Sequence, residues 1–208
     1  MIQEVVAIID RSGSMMGKEE DTIGGINATI DELKKNKTET ERINFSVKFF
    51  DHQEKVYINS MNLDEVNPLR VSDLKPRGQT ALLDAMGNTL IYFINKKMKD
   101  PGCFETCIIY VATDGIENCS RKYCNKTIKN LIEEAKKYCI EVLYLAANQD
   151  AILEASKFGL NIEQAINYSE TSEHVEAVYR SVASSAKRSR TGDSLAFTDA
   201  ERQASQFS

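Results

Sequence analysis

Apolar and polar residues follow two rhythms along this chain. Residues 3 to 10 form an apolar run too short for a helix, which predicts a buried strand ending in Asp10. Between Lys18 and Lys35, Ile23, Ile26, Ile30 and Leu33 recur at steps of three or four, the spacing of one helix face. Ile43, Phe45, Val47 and Phe49 then alternate with Asn44, Ser46 and Lys48, as in a strand with one buried face. The short turn DHQE leads into a second strand, KVYINSM. The pair reads as a hairpin that places an antiparallel strand at a sheet edge.

The same alternation continues downstream. Asn67 to Gly78 carries two prolines and little periodicity, and reads as a loop. Thr80 opens a helix with Leu83, Met86, Leu90, Ile91 and Ile94 along one side. ETCIIYVATDG is a continuous apolar run ending in Thr113, Asp114 and Gly115, the pattern of a central parallel strand buried on both faces. A helix from about Tyr123 to Tyr138 precedes the strand IEVLYLAA. A short helix, AILEASKF, is closed by Gly159 as a C-cap. A short strand over Ile162 to Asn167 and a helix over Glu170 to Lys187 complete the pattern. Residues 189 to 208 are polar and aperiodic, which predicts one domain over 1 to 188 and a mobile tail. Strands alternating with helices predict an α/β fold: Rossmann-like, doubly wound, with a mostly parallel sheet, one antiparallel edge strand and helices on both faces. Ligands bind such sheets at the carboxyl ends of the strands, where Asp10 and Asp114 both lie.

Composition narrows the function classes. The 208 residues suit a single domain, and 42% hydrophobic with 27% charged residues reads as soluble and globular. A net charge of −5 argues against a general affinity for nucleic acid or an anionic membrane, and the basic run KRSR at 187 to 190 reads as a solvated helix end. No apolar run reaches the ~18 residues of a membrane span. The N-terminus lacks the basic start of a secretory signal, so the expected location is cytoplasmic. Five cysteines form no evident disulfide framework, which suits a reducing compartment. Cys103, Cys107, Cys119 and Cys124 approach zinc spacing. Cys107 lies inside an apolar run and Cys139 opens another, where thiols pack as small hydrophobes.

The chemistry gathers at the predicted strand ends. If Asp10 and Asp114 meet at one rim, their charges repel, and a divalent cation relieves that repulsion. Ser12 and Ser14 add neutral hydroxyls, with Gly13 between them for a tight bend. Thr80 in GQTALLDA supplies a third hydroxyl. Taken singly, each has a plainer reading: a turn with side-chain to backbone bonds for Asp10, Ser12 and Ser14, a helix cap for Thr80. Glu117 and Asn118 read as an exposed loop that alternatively lines the rim; His52 and His174 read as surface residues, and Tyr123, Met15 and Met16 as packing.

IIDRSGSM resembles the D-x-S-x-S motif of von Willebrand factor A (VWA) domains. Thr80 in RGQTALLDA and Asp114 in ATDGIEN match that family's distal threonine and aspartate, and the resemblance spans roughly residues 3 to 185. It implies a metal-ion-dependent adhesion site binding Mg²⁺, or Mn²⁺ as in some relatives. Ser12, Ser14 and Thr80 would supply direct oxygens. Asp10 and Asp114 would act through water or hydroxyl hydrogen bonds. A partner protein's Asp or Glu would fill the open position, and in some relatives the last helix then moves. Hydroxyl ligands leave the cation under-neutralised and receptive to such an anion. The expected function is a metal-dependent protein-interaction module and not an enzyme. The alternative is a metal-dependent hydrolase or phosphoryl-transfer enzyme using the same rim. Against it, Ser12 stands where a dehalogenase-like enzyme carries a second aspartate, and neither a phosphate-binding G-x-x-x-x-G-K-[ST] loop nor a G-x-S-x-G elbow is present.

Overall fold

The computed structural model describes residues 1–147 and 151–206. Among these, six strands form one sheet: β1 (Ile2–Asp10), β2 (Arg42–Phe50), β3 (Glu54–Asn62), β4 (Thr106–Thr113), β5 (Ile140–Ala147) and β6 (Ala165–Tyr168). The helices are α1 (Glu19–Asn36), α2 (Leu82–Lys99), α3 (Asn125–Lys136), α4 (Ala151–Lys157), α5 (Ser172–Thr191) and α6 (Asp199–Ala204). The strand order is β3-β2-β1-β4-β5-β6, and only β3 runs antiparallel, at the edge. This is the expected doubly wound sheet. From β1 the chain winds outward through β2 and β3, then returns to the centre as β4 and winds the other way. The reversal opens a crevice between β1 and β4, where such sheets bind ligands. Ile9 pairs with Ala112, so Asp10 and Asp114 end neighbouring strands at that crevice.

Alternation along β1 divides the core. Val5, Ala7 and Ile9 face one layer with Ile23, Ile26 and Ile30 of α1 and Val178, Val182 and Ala186 of α5. Val6 and Ile8 face the other, with Leu83, Met86 and Leu90 of α2 and Ile128 and Ile132 of α3. The Val5–Ile9 stretch of β1 and the Cys107–Ala112 stretch of β4 are buried on both faces and read as unbroken apolar runs, whereas Gln3 and Glu4, equally buried, are bonded by Arg190 and Lys96. The α1–α5 contact is close because Gly25 has no side chain: a methyl group there would lie 2.5 Å from the Tyr179 ring.

Four details differ from the expectations. The last strand begins at Ala165, because Ile162–Gln164 forms a 3₁₀ turn closed by reciprocal Asn161 and Gln164 bonds. Cys139 is exposed, with φ at +57° in the turn before β5, and does not pack as a hydrophobe. The segment expected to be a polar tail from 189 continues α5 to Thr191, ends it at left-handed Gly192, and then folds back as α6. Phe197 is buried, the Thr198–Glu201 capping box starts α6, and Arg188 pairs with Glu201 at 3.0 Å. Arg190 is buried, bonding Gln3 at 2.7 Å and Glu41 at 3.1 Å, so KRSR holds the chain to itself instead of ending a helix in solvent. Positions 207 and 208 lie outside the described residues.

Candidate metal centre

Asp10 is fully buried at the end of β1. Its Oδ1 accepts the Ser12 N–H at 2.6 Å, and its Oδ2 accepts the Thr113 hydroxyl, also at 2.6 Å. Ser12 then caps a 3₁₀ turn over Gly13–Met15, which brings Ser14 Oγ to 3.0 Å from Ser12 Oγ. Gly13 opens that turn without a left-handed backbone; near the rim the left-handed glycines are Gly17, φ +85°, after the turn and Gly78, φ +69°, in the facing loop. The Gly13 N–H donates to Gly78 O at 3.1 Å and ties the two loops together.

Thr80 is buried and does not cap α2. The cap comes from the loop after β4: Glu117 accepts the Leu83 N–H at 2.9 Å, and Ser120 Oγ accepts that of Asp84 at 3.1 Å. Asp84 in turn accepts the N–H groups of Arg121, Lys122 and Tyr123. Asn118 brackets Thr80, accepting its N–H at 2.9 Å and donating to its carbonyl at 3.1 Å. Glu117 and Asn118 are therefore braces of the rim loop. This clasp leaves the Thr80 hydroxyl aimed at the crevice. Asp114 accepts the Ser14 hydroxyl at 2.6 Å on Oδ1, while Lys18 Nζ pairs with its Oδ2.

Gly115 marks where the groups converge. A methyl group there would lie 2.9 Å from Thr80 Oγ1, 3.3 Å from Asp10 Oδ2 and 3.4 Å from Ser14 Oγ. Oxygens from two distant chain segments, 10–14 and 80, thus surround one small space beside a third, with Ser12 and Asp114 bonded to Ser14. All five sequence-selected residues meet at this rim. Among the described residues no three His, Cys, Asp or Glu side chains gather to hold a metal, so the candidate set rests on hydroxyls as much as on carboxylates. An all-oxygen set of three hydroxyls and two carboxylates fits a hard cation such as Mg²⁺ better than zinc, which favours nitrogen and sulfur.

Burial pushes the Asp10 carboxyl up to about 6, with the Asp114 charge adding to the rise and the bonds from Thr113 and Ser12 opposing it. For Lys18, burial works against the charged form, but the bonds to Asp114 and Glu170 outweigh it and raise its pKa.

Sequence reasoning missed four contributors. Thr113 orients Asp10. Lys18 and Glu170 pair at the rim. Asp51, fully buried just past β2, lies 2.9 Å from Arg11 Nε and accepts Arg77 Nε at 2.9 Å. Its carbonyl also accepts the Ala81 N–H at 2.9 Å. Asp51 thereby joins the loop carrying Ser12 and Ser14 to the loop carrying Thr80. The one available signal was its place at a strand end beside the other rim residues.

Solved structures share this architecture. A von Willebrand factor type A protein from Catenulispora acidiphila superposes with a TM-score of 0.65 at 18% identity, over 89% of this chain and 42% of that one. The fold is that of a von Willebrand factor type A domain. Proximal thread matrix protein 1 from the mussel byssus shares this VWA fold with a TM-score of 0.63 at 15% identity, over 89% and 46% of the two chains. A further structure of that protein has a zinc-occupied MIDAS motif. The vWF domain of the type V pili tip protein Mfa5 from Porphyromonas gingivalis matches at 0.63 and 12%, over 88% of this chain and 94% of that one. The chain spans less than half the length of the first two. No family model matches it, and no curated protein matches it. Among the described residues no helix is long and apolar enough to cross a membrane. Neighbours from pili and a byssus lend no support to the expected cytoplasmic location.

Proposed function

We propose that this VWA-fold chain is a protein-interaction module whose rim binds a divalent cation, Mg²⁺ or alternatively Mn²⁺, and through it a partner's Asp or Glu. The observation that carries this reading is the convergence of Thr80, Asp10 and Ser14 oxygens on the space beside Gly115. Ser12, Ser14 and Thr80 would hold the ion, with Asp10 and Asp114 orienting those hydroxyls and the surrounding water. When bound, the cation supplies a Lewis-acidic position open to an anionic oxygen. The chain's own part is preorganisation. Asp10 fixes the Ser12 turn, Asn118 fixes Thr80, and Asp114 fixes Ser14. The clasped loops keep these oxygens together without the metal, so little ordering cost remains when a ligand arrives. The free thiols alone carry the reading of a reducing compartment.

The test is metal-linked stabilisation followed by capture. At Mg²⁺ a hundredfold above its Kd, stabilisation should reach about 2.7 kcal/mol, or roughly 5–10 °C in Tm for a chain of this size. EDTA should reverse it and release captured partners. Gly115→Ala should lose most of the Mg²⁺ response, because its methyl group would crowd Thr80 Oγ1, and its melting curve in EDTA measures separately what that crowding costs the fold. Partners retained equally in Mg²⁺ and EDTA would refute the docking mechanism.

A further inference from the structure

The rim already contains one cation, and it belongs to the chain. Gly17, at φ +85°, turns the backbone so that Lys18 leads into α1 beside the crevice. The Lys18 ammonium contacts Asp114 Oδ2 and Glu170 Oε1. The Asp114 side chain is only 3% exposed, and Lys18 and Glu170 are about one-third exposed, at 31% and 33%. A cavity of about 290 Å³ lies alongside, lined in part by Met16, Lys18, Asp21, Asp114, Glu170 and Val175.

Both Asp114 oxygens are therefore engaged, Oδ1 by the Ser14 hydroxyl and Oδ2 by the ammonium. Asp10, Asp114 and Glu170 would otherwise bring three carboxylates toward one partly buried rim. Lys18 offsets part of that charge. Solvent screens such a contact weakly, so the ammonium lowers the negative potential that a divalent ion would meet there. Glu170 shares the same ammonium. It lies just before Thr171, the residue that caps α5 by accepting the His174 N–H, so its backbone is anchored. A stronger pull from Glu170 leaves less of the ammonium for Asp114.

We propose that Lys18 is a tethered counter-cation that competes with the divalent metal for Asp114, and that Glu170 sets the strength of this competition by drawing the ammonium away. This rests on the metal-docking reading above. Lys18 stabilises the rim while it is metal-free and raises the metal concentration at which the rim loads. The docking surface then responds to metal supply as well as to the partner.

The two residues make opposite predictions. Removing Lys18 removes the competitor; neutralising Glu170 gives the competitor wholly to Asp114. Titration calorimetry with Mn²⁺ alone, on the full chain at neutral pH, would compare wild type, Lys18→Met and Glu170→Gln. Lys18→Met should bind Mn²⁺ about tenfold more tightly, and Glu170→Gln several-fold more weakly. A merely structural role for the pair would weaken binding in both variants. Metal-free melting curves give each variant's folded fraction. Should Lys18→Met fail to fold, Lys18→Gln, which keeps most of the side-chain volume, takes its place. Equal Mn²⁺ affinity in wild type and the lysine variant, or shifts of the same sign in both variants, overturns this inference and leaves the metal reading standing. Mn²⁺ binding in the lysine variant but not in wild type supports it in its strongest form. No binding in either overturns the metal reading and this inference with it.

Discussion

Asp10→Asn is expected to abolish Mg²⁺-linked stabilisation and, without metal, to remove a pH dependence that wild type shows. Asn keeps an acceptor for Ser12 N–H or the Thr113 hydroxyl but loses the charge that orients water and hydroxyls toward a cation. The metal-free effect follows from burial. The folded protein raises the Asp10 carboxyl from 3.8 to about 6, so between those values the folded state binds the proton more readily than the unfolded chain. The resulting stability is fully present below pH 3.8 and is lost as pH rises through about 6. Its size is about 3 kcal/mol, at 1.36 kcal/mol per tenfold change in proton affinity. Urea melts in EDTA at several values between pH 3.5 and 7.5 isolate this contribution as the wild-type minus Asp10→Asn difference. Parallel curves for the two proteins would contradict it. Metal binding to wild type should also tighten as pH rises toward 6, because the ion must displace that proton.

Asp51→Ala is expected to be the most destabilising single change at the rim. Asp51 is fully buried and Arg11 is 7% exposed, so truncation leaves a buried guanidinium without its counter-charge. Such losses cost about 3–5 kcal/mol, which for this chain length lowers Tm by roughly 6–20 °C. The backbone N–H of Gln53 also loses its 2.6 Å bond to Asp51. Adding Arg11→Met should recover much of the loss by replacing the stranded charge with an apolar side chain. A single-variant Tm within 2 °C of wild type, or no recovery in the double variant, would show that Asp51 does not hold the two loops. Metal affinity should fall as well, because the same carboxylate sets the spacing between the Ser12 and Thr80 loops.

The architecture was legible because burial imposes local periods. Val5–Ile9 of β1 and Cys107–Ala112 of β4 are buried on both faces and read as unbroken apolar runs. α1 and α2 cover one side each and read at helical spacing. The hairpin of β2 and β3 showed in alternation and a short polar turn. The return of 189–206 onto the domain was not legible. It is held by Arg188 to Glu201 and by Arg202 to the carbonyls of Ile162 and Ala165, contacts that leave no periodic trace. The five rim residues were legible only as a set, through the strand-end rule and the resemblance to VWA domains; taken singly each reads as a turn residue or a cap. Nothing in the linear pattern singled out Asp51, Lys18 and Glu170, because a polar residue is marked as buried only by the partner that reaches it.

The sequence by itself therefore determined the layers, the doubly wound order and the chemistry at the ends of β1 and β4, since each follows from which positions shun water. Only the tertiary structure decided how the rim is held and which charge rests on it. Asp51 binds two arginines from different loops, and Lys18 divides itself between Asp114 and Glu170. Those pairings depend on where distant segments come to rest. Charge acts through distance and burial, and neither quantity is written in a linear pattern.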